Sequence, residues 1–270
     1  MKKHASAPVG IFDSGIGGLT VAHAIQQQLP HENLIYFGDT AHLPYGDKSE
    51  AAIQAYSIKI ADVLLKHGCK VIVIACNSAS SAAYELLKEY VRHEAHIINV
   101  IDPMVEFIAT HFAGKTIGLI GTKRTVQSGV YPRRLELCHA QVTLKPLATP
   151  LLAPMIEEGF FNNQISHEII QQYLSDETLA GIEALVLACT HYPLIQQEIN
   201  HYYQGAVPLL DSAATVARAL QQYLQQHQLL APAATPRHQF FVSDYTDSFE
   251  AATQLFFKKQ IRLNHYPLWN

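Results

Sequence analysis

Apolar runs of four or five residues recur along the chain. Each leads into a short polar or glycine-rich loop, and apolar residues at helical spacing follow. Val9–Phe12 runs into Asp-Ser-Gly-Ile-Gly-Gly, and Leu19–Leu29 then carries the helical pattern. Leu34–Phe37 opens onto the turn-rich loop GDTAHLPYG, after which Ala51–Lys66 reads as an amphipathic helix with Gly68 at its C-cap. Val71–Ala75 is apolar at every position, the mark of a strand buried on both faces, and Ser80–Tyr90 resumes helical spacing. The series restarts at Thr116–Ile120 and closes with Ala184–Ala188. A proline-alanine linker, residues 231–237, precedes a last strand (Phe240–Ser243) and helix (Ser248–Lys258). Strands alternating with helices predict an α/β fold in which a mainly parallel sheet is flanked by helices.

The pattern occurs twice. VGIFDSG at 9–15 resembles IGLIGTK at 117–123, and VIVIACNS at 71–78 resembles ALVLACTH at 184–191. Gly10 and Gly118 are 108 residues apart and Cys76 and Cys189 are 113 apart, near-equal offsets of the kind a duplicated half leaves. Two pseudo-symmetric α/β units are expected, each placing a cysteine after a buried strand.

Composition narrows the possibilities. A chain of 270 residues with 49% hydrophobic and 16% charged positions builds a core without disulfide or metal staples. The net charge of −4 is too small for a nucleic-acid or lipid-surface footprint. No apolar stretch approaches the ~20 residues that cross a bilayer. MKKHASAPVGIF has two lysines but no apolar region behind them, so no secretory signal is read there. The cysteines at 69, 76, 138 and 189 form no CxxC pair, in keeping with a cytoplasmic protein.

In open parallel sheets ligands bind beyond the carboxyl ends of the strands. Cys76 and Cys189 both fall there, followed by Asn77-Ser78 and Thr190-His191. Backbone N–H groups at such a loop favour an anion, thiolate or carboxylate. Cys69 and Cys138 lack that context and read as small core hydrophobes. Two opposed thiols suit the inversion of a stereocentre, one taking an α-proton while the other delivers one to the opposite face. The carbanion then requires donors around the α-carboxylate, which the loops at 13–18, 77–80 and 190–191 offer. Gly15, Gly17 and Gly18 give GxGG, which matches neither the dinucleotide fingerprint nor a phosphate loop. Asp13 is placed to meet an ammonium group, to help ionise a thiol, or to cap the following helix. His191 is a candidate proton partner, and Tyr45 and Gly46 are candidates for a pocket wall. Glu157 and Glu158 read as an acidic pair at a helix end. No metal-ligand spacing is present, and none of the 12 lysines reads as a strand-end Schiff-base site. Neither a metal nor any other cofactor is expected.

Together, IFDSGIGGLTV, YFGDTAHLPYG, ACNSAS and ACTHYPL resemble, in order, the signature segments of the glutamate racemases, cofactor-independent isomerases of bacterial cell-wall (peptidoglycan) precursor synthesis. The resemblance covers essentially the whole chain. It implies one α/β domain of residues 1–99 plus 212–270, a second of residues 100–211 inserted into it, and an active site in the cleft between them. By the same resemblance Cys76 deprotonates D-glutamate and Cys189 L-glutamate. Asp13, Ser14, Tyr45, Gly46, Asn77, Ser78, Thr190 and His191 bind substrate, with Asp13 and His191 assisting proton transfer. Glu157 and Thr122 are supporting residues, and a homodimer is among the assemblies implied. Ser78 stands where the family usually has threonine, keeping the hydroxyl and losing the methyl. Aspartate racemase is the nearest alternative within the same chemistry. A small-anion binding protein is the alternative outside it, although binding alone has no need of two thiols.

Overall fold

The structure, a computed structural model, describes residues 4–269. The first stretch runs β1 (Val9–Asp13), α1 (Leu19–Gln28), β2 (Leu34–Gly38), α2 (Glu50–Lys66), β3 (Val71–Ile74), α3 (Asn77–Val91) and β4 (His96–Asn99). It continues through α4 (Ile101–His111), β5 (Thr116–Gly121), α5 (Lys123–Gln127), α6 (Val130–Leu137), β6 (Thr143–Ala148), α7 (Leu152–Glu157), α8 (Gln164–Leu174), β7 (Ala184–Ala188), α9 (Gln196–Tyr202) and β8 (Leu209–Asp211). It ends with α10 (Ser212–Gln226), β9 (Gln239–Val242), α11 (Asp247–Phe257) and β10 (Asn264–His265).

Two sheets result, ordered β10-β9-β2-β1-β3-β4 and β6-β5-β7-β8. Every strand pair is parallel. The order 2-1-3-4 within the first sheet is repeated as 6-5-7-8 in the second, so β1 corresponds to β5 and β3 to β7. The expected α/β architecture with two like units is what the strand order shows. The smaller sheet is built from residues 116–211, between the two stretches that build the larger one.

Burial explains the uninterrupted apolar runs. In β3, Val71 and Val73 face one apolar cluster and Ile72 and Ile74 another. All four are fully buried, and each such side chain contributes about 1.5–3 kcal/mol on removal from water. Helix α2 begins at Glu50 under the Ser49 side chain, which accepts from Ala52 N–H at 3.3 Å. It ends at Lys66 with His67 as C-cap, one residue before the expected Gly68, whose φ of +75° is the left-handed conformation that commonly follows a helix end. Helix α3 departs from expectation. It starts at Asn77 rather than Ser80, so Cys76 is itself the N-cap residue. Strands β4, β6, β8 and β10 add to those the apolar runs predicted. Cys69 is buried as expected, but Cys138 is exposed at the end of α6, contrary to its reading as a core hydrophobe. Among the described residues, no helix is long and apolar enough to cross a membrane.

Candidate functional site

In each sheet the chain leaves adjacent strands in opposite directions, β1 against β3 and β5 against β7, which opens a crevice at their carboxyl ends. The two crevices meet. Ser14 follows β1, Cys76, Asn77 and Ser78 follow β3, Thr122 follows β5, and Cys189, Thr190 and His191 follow β7. With Pro44, Tyr45, Gly46, Ala153 and Ala188 they line one small cavity of about 20 Å³. The groove around Arg262–His265 is larger, at about 650 Å³, but neither Cys76 nor Cys189 lines it.

Both thiols face this cavity and both are nearly inaccessible. Cys76 Sγ accepts from Ala79 N–H at 3.4 Å, in the first turn of α3, and donates to Ser14 Oγ at 3.7 Å. Burial pushes the Cys76 thiol well up, and the charge of Asp13 pushes the same way, against the Ala79 N–H and Ser14. Cys189 Sγ lies 3.5 Å from His191 Nδ1. His191 Nε2 in turn lies 2.9 Å from Glu157 Oε1, off the line of a hydrogen bond, so the contact is an ion pair rather than a directed bond. Burial pulls the His191 imidazole down. The charges of Glu157 and Cys189 outweigh that and hold it well above the usual histidine range.

Asp13 and Glu157 stand one layer behind the cavity. Asp13 is fully buried, and its Oδ2 accepts from Gly15 N–H at 3.2 Å and Gly18 N–H at 3.0 Å. That oxygen organises the loop into α1, but it does not cap the helix, whose N-cap is Gly18 with no side-chain cap, and Oδ1 is buried with no hydrogen-bond partner. Burial pushes the Asp13 carboxyl up, opposed by the charge of His191 and the two N–H donors. Gly17 lets this loop press on the opposite unit: a Cβ there would stand 2.6 Å from both His191 Cε1 and Thr190 Oγ1. Glu157 is the last residue of α7, with Glu158 beside it, as the acidic pair suggested.

The remaining residues are joined across the two units. Ser78 Oγ and Thr122 Oγ1 are 2.8 Å apart, and Thr122 also caps α5. Tyr131, in α6, donates from its hydroxyl to Asn77 Oδ1 at 2.9 Å. This fixes the amide, and its Nδ2 is buried with no partner. Thr190 accepts at its carbonyl from Thr20 Oγ1 at 3.3 Å. A Cβ on Gly46 would stand 2.9 Å from Thr122 Cβ, so the Tyr45-Gly46 turn also touches the other unit. Tyr45 OH donates to Asp39 Oδ2 at 2.6 Å. The sequence reading did not single out Asp39, Tyr131, Pro44 or Ala153. Asp39 and Pro44 at least lay in the GDTAHLPYG loop at a strand end.

Among the described residues, no group of three or more His, Cys, Asp or Glu side chains is placed to hold a metal ion. Lys123 follows a strand end, at the start of α5. Its side chain is half-exposed, 3.9 Å from Asp47, and is not among the residues lining the cavity.

The family model for Asp/Glu/Hydantoin racemase matches residues 18–220. The chain belongs to that racemase family, and its members are isomerases. It is 40% identical over 252 residues to a glutamate racemase of Thermus thermophilus, covering 93% of each chain. To the glutamate racemase of Geobacter metallireducens it is 39% identical over 242 residues, 89% of each. Among solved structures, the glutamate racemase of Francisella tularensis in complex with D-glutamate superposes with a TM-score of 0.91 at 33% identity, over 98% of this chain and 99% of that one. An aspartate racemase from Picrophilus torridus shares the fold, with a TM-score of 0.57 at 20% identity over 83% of this chain and 100% of that one. The resemblance to the glutamate racemases read from the signature segments is borne out across the whole chain.

Proposed function

We propose that this racemase interconverts L- and D-glutamate by proton transfer between two cysteines, without a cofactor. The observation that carries the reading is the pair of buried thiols, from corresponding strand ends of two like units, on one cavity. In the L-to-D direction a thiolate on Cys189 takes the α-proton. The C–H electron pair passes onto the α-carbon and its carboxylate, and the Cys76 thiol delivers its proton to the other face. D-glutamate leaves with Cys76 ionised and Cys189 protonated, and the reverse reaction begins from that state.

The surroundings divide the labour. Burial and Asp13 favour the proton on Cys76, and on the other side His191 Nδ1 stands 3.5 Å from Cys189 Sγ as its proton partner. Asp13 acts on Cys76 from behind the wall, and Glu157 acts on Cys189 through His191. Asn77 Nδ2 offers an unused donor, and a buried unused donor is costly until a ligand meets it. With the Ser14, Ser78, Thr122 and Thr190 hydroxyls and the Tyr45-Gly46 turn, it gives the carboxylates preorganised partners. Residues 1–99 plus 212–270 and residues 100–211 act as the two domains whose facing crevices hold the substrate. A cytoplasmic supply of D-glutamate for peptidoglycan follows from the same reading.

Circular dichroism of the purified protein with D-glutamate, then D-aspartate, and nothing else added, tests it. The D-glutamate signal decays to zero and the D-aspartate signal stays. A flat D-glutamate trace, or one that decays only after pyridoxal phosphate or a metal is supplied, overturns the two-thiol scheme.

A further inference from the structure

Tyr45 is part of the cavity wall, and the racemisation scheme does not account for how its ring is held. Its hydroxyl donates to Asp39, a fully buried carboxylate just beyond β2. An ionised carboxylate has about four acceptor sites, and burying it is expensive unless they are filled. Here the donors come from separate parts of the chain. Tyr45 OH sits on Oδ2 at 2.6 Å and His42 Nδ1 is 3.1 Å from the same oxygen. On Oδ1, Ser243 Oγ donates at 2.7 Å and Trp269 Nε1–H donates at 2.7 Å, while His42 Nδ1 also reaches this oxygen at 3.2 Å.

Trp269 is the sole tryptophan of the chain. Strand β10 pairs in parallel with β9, which brings residues 264–269 to the carboxyl end of the larger sheet, where Asp39 lies. There the indole is wedged among groups that surround the Tyr45 turn. Its edge meets His42 at 4.5 Å between ring centres and Tyr56 at 5.3 Å, and Lys59 Nζ is 4.9 Å from its centre. His42 is itself stacked on Tyr56 at 4.0 Å.

We propose that Trp269 is a positioning residue for racemisation. By filling Asp39 Oδ1 it leaves Oδ2 to Tyr45, and so it fixes the wall against which the substrate seats. With the indole N–H removed, that oxygen keeps Ser243 Oγ and the longer His42 Nδ1 contact that it shares with Oδ2, and the more weakly held carboxylate can rotate and release the Tyr45 hydroxyl. The kinetic consequence rests on the glutamate reading, and the structural coupling does not.

Trp269→Phe keeps an aromatic ring and deletes the N–H. KM for D-glutamate is expected to rise about 2- to 10-fold, what one hydrogen bond of ordinary net worth supplies, with kcat changed less. In a Tyr45→Phe background the same substitution has little further effect, because both act through one carboxylate. Ser243→Ala, which removes the other short Oδ1 donor, shifts KM the same way and serves if Trp269→Phe folds poorly. A role in stability alone lowers Tm while KM stays put, and that result, or fully additive effects with Tyr45→Phe, overturns the proposal. If the wild type turns over neither enantiomer, the glutamate reading fails. The same double-mutant cycle read in thermal unfolding then decides the coupling, additivity again overturning it.

Discussion

A buried imidazole between a carboxylate and a thiol makes His191 the most pH-sensitive group of the site. Its raised pKa arises because the charges of Glu157 and Cys189 outweigh a burial that works the other way. Removing one of those charges must lower it. Glu157→Gln is therefore expected to move the imidazole titration, followed by NMR, to lower pH, and to move the alkaline limb of kcat/KM with it. The stability consequence has a definite sign. A raised histidine pKa stabilises the fold fully below the unfolded value near ~6.5 and ceases to do so as pH rises through the folded value. Wild type and Glu157→Gln should then differ most in Tm below that unfolded value and converge at alkaline pH. An unmoved His191 titration would falsify the ion-pair account. At this scale the two thiols were legible because each ends an Ala-Cys strand and the context is doubled. The Asp39 cluster was not, since its donors Ser243 and Trp269 lie 204 and 230 positions away and no local pattern links them.

At the scale of elements, the site depends on how closely loops approach across the two units, and glycine decides it at Gly17. A Cβ there would collide with His191 Cε1 and Thr190 Oγ1, both at 2.6 Å, and neither belongs to a long side chain that can swing clear. Gly17→Ala is expected to lower kcat/KM by about tenfold or more, because a displacement of an ångström at the reacting groups can cost ~10²-fold. The core is untouched, so Tm should fall by only a few degrees; wild-type kcat/KM in this variant would show that the contact does not position His191. The elements that escaped the sequence reading did so for physical reasons. Asn-Ser-Ala-Ser at the start of α3 carries loop composition, and the helix begins there because Cys76 caps it and the residues are buried against neighbours. Strand β6 contains Lys145 and Pro146 and is mostly half-buried, so it lacks the continuous apolar run that marked β3 and β7. Strand β8 is three residues long, too short for any period to register.

At the scale of the molecule, the repeated strand order sets two like crevices face to face, and a near-symmetric site invites a test that local changes cannot evade. Enantiomers have equal free energy in water, so the equilibrium constant of racemisation is unity. The thermodynamic cycle then forces kcat/KM to be equal in both directions, in the wild type and in every variant. Cys76→Ser alters one face of the cavity only, yet it must slow D-to-L and L-to-D by the same factor. The loss should reach at least the ~10²–10⁴ that general acid–base catalysis supplies, since a serine hydroxyl is a far poorer base than a thiolate. Cys189→Ser should behave alike, and what remains free to differ between directions is kcat and KM taken singly. Isotope entry separates two bases from one. In the proposed two-thiol scheme the proton given to the product in D₂O comes from the thiol opposite the one that abstracted, so deuterium should appear in the product enantiomer well before it appears in remaining substrate. Extensive early deuterium in unreacted substrate would mean a single base working both faces. Near wild-type turnover in either serine variant would remove that cysteine from the mechanism altogether.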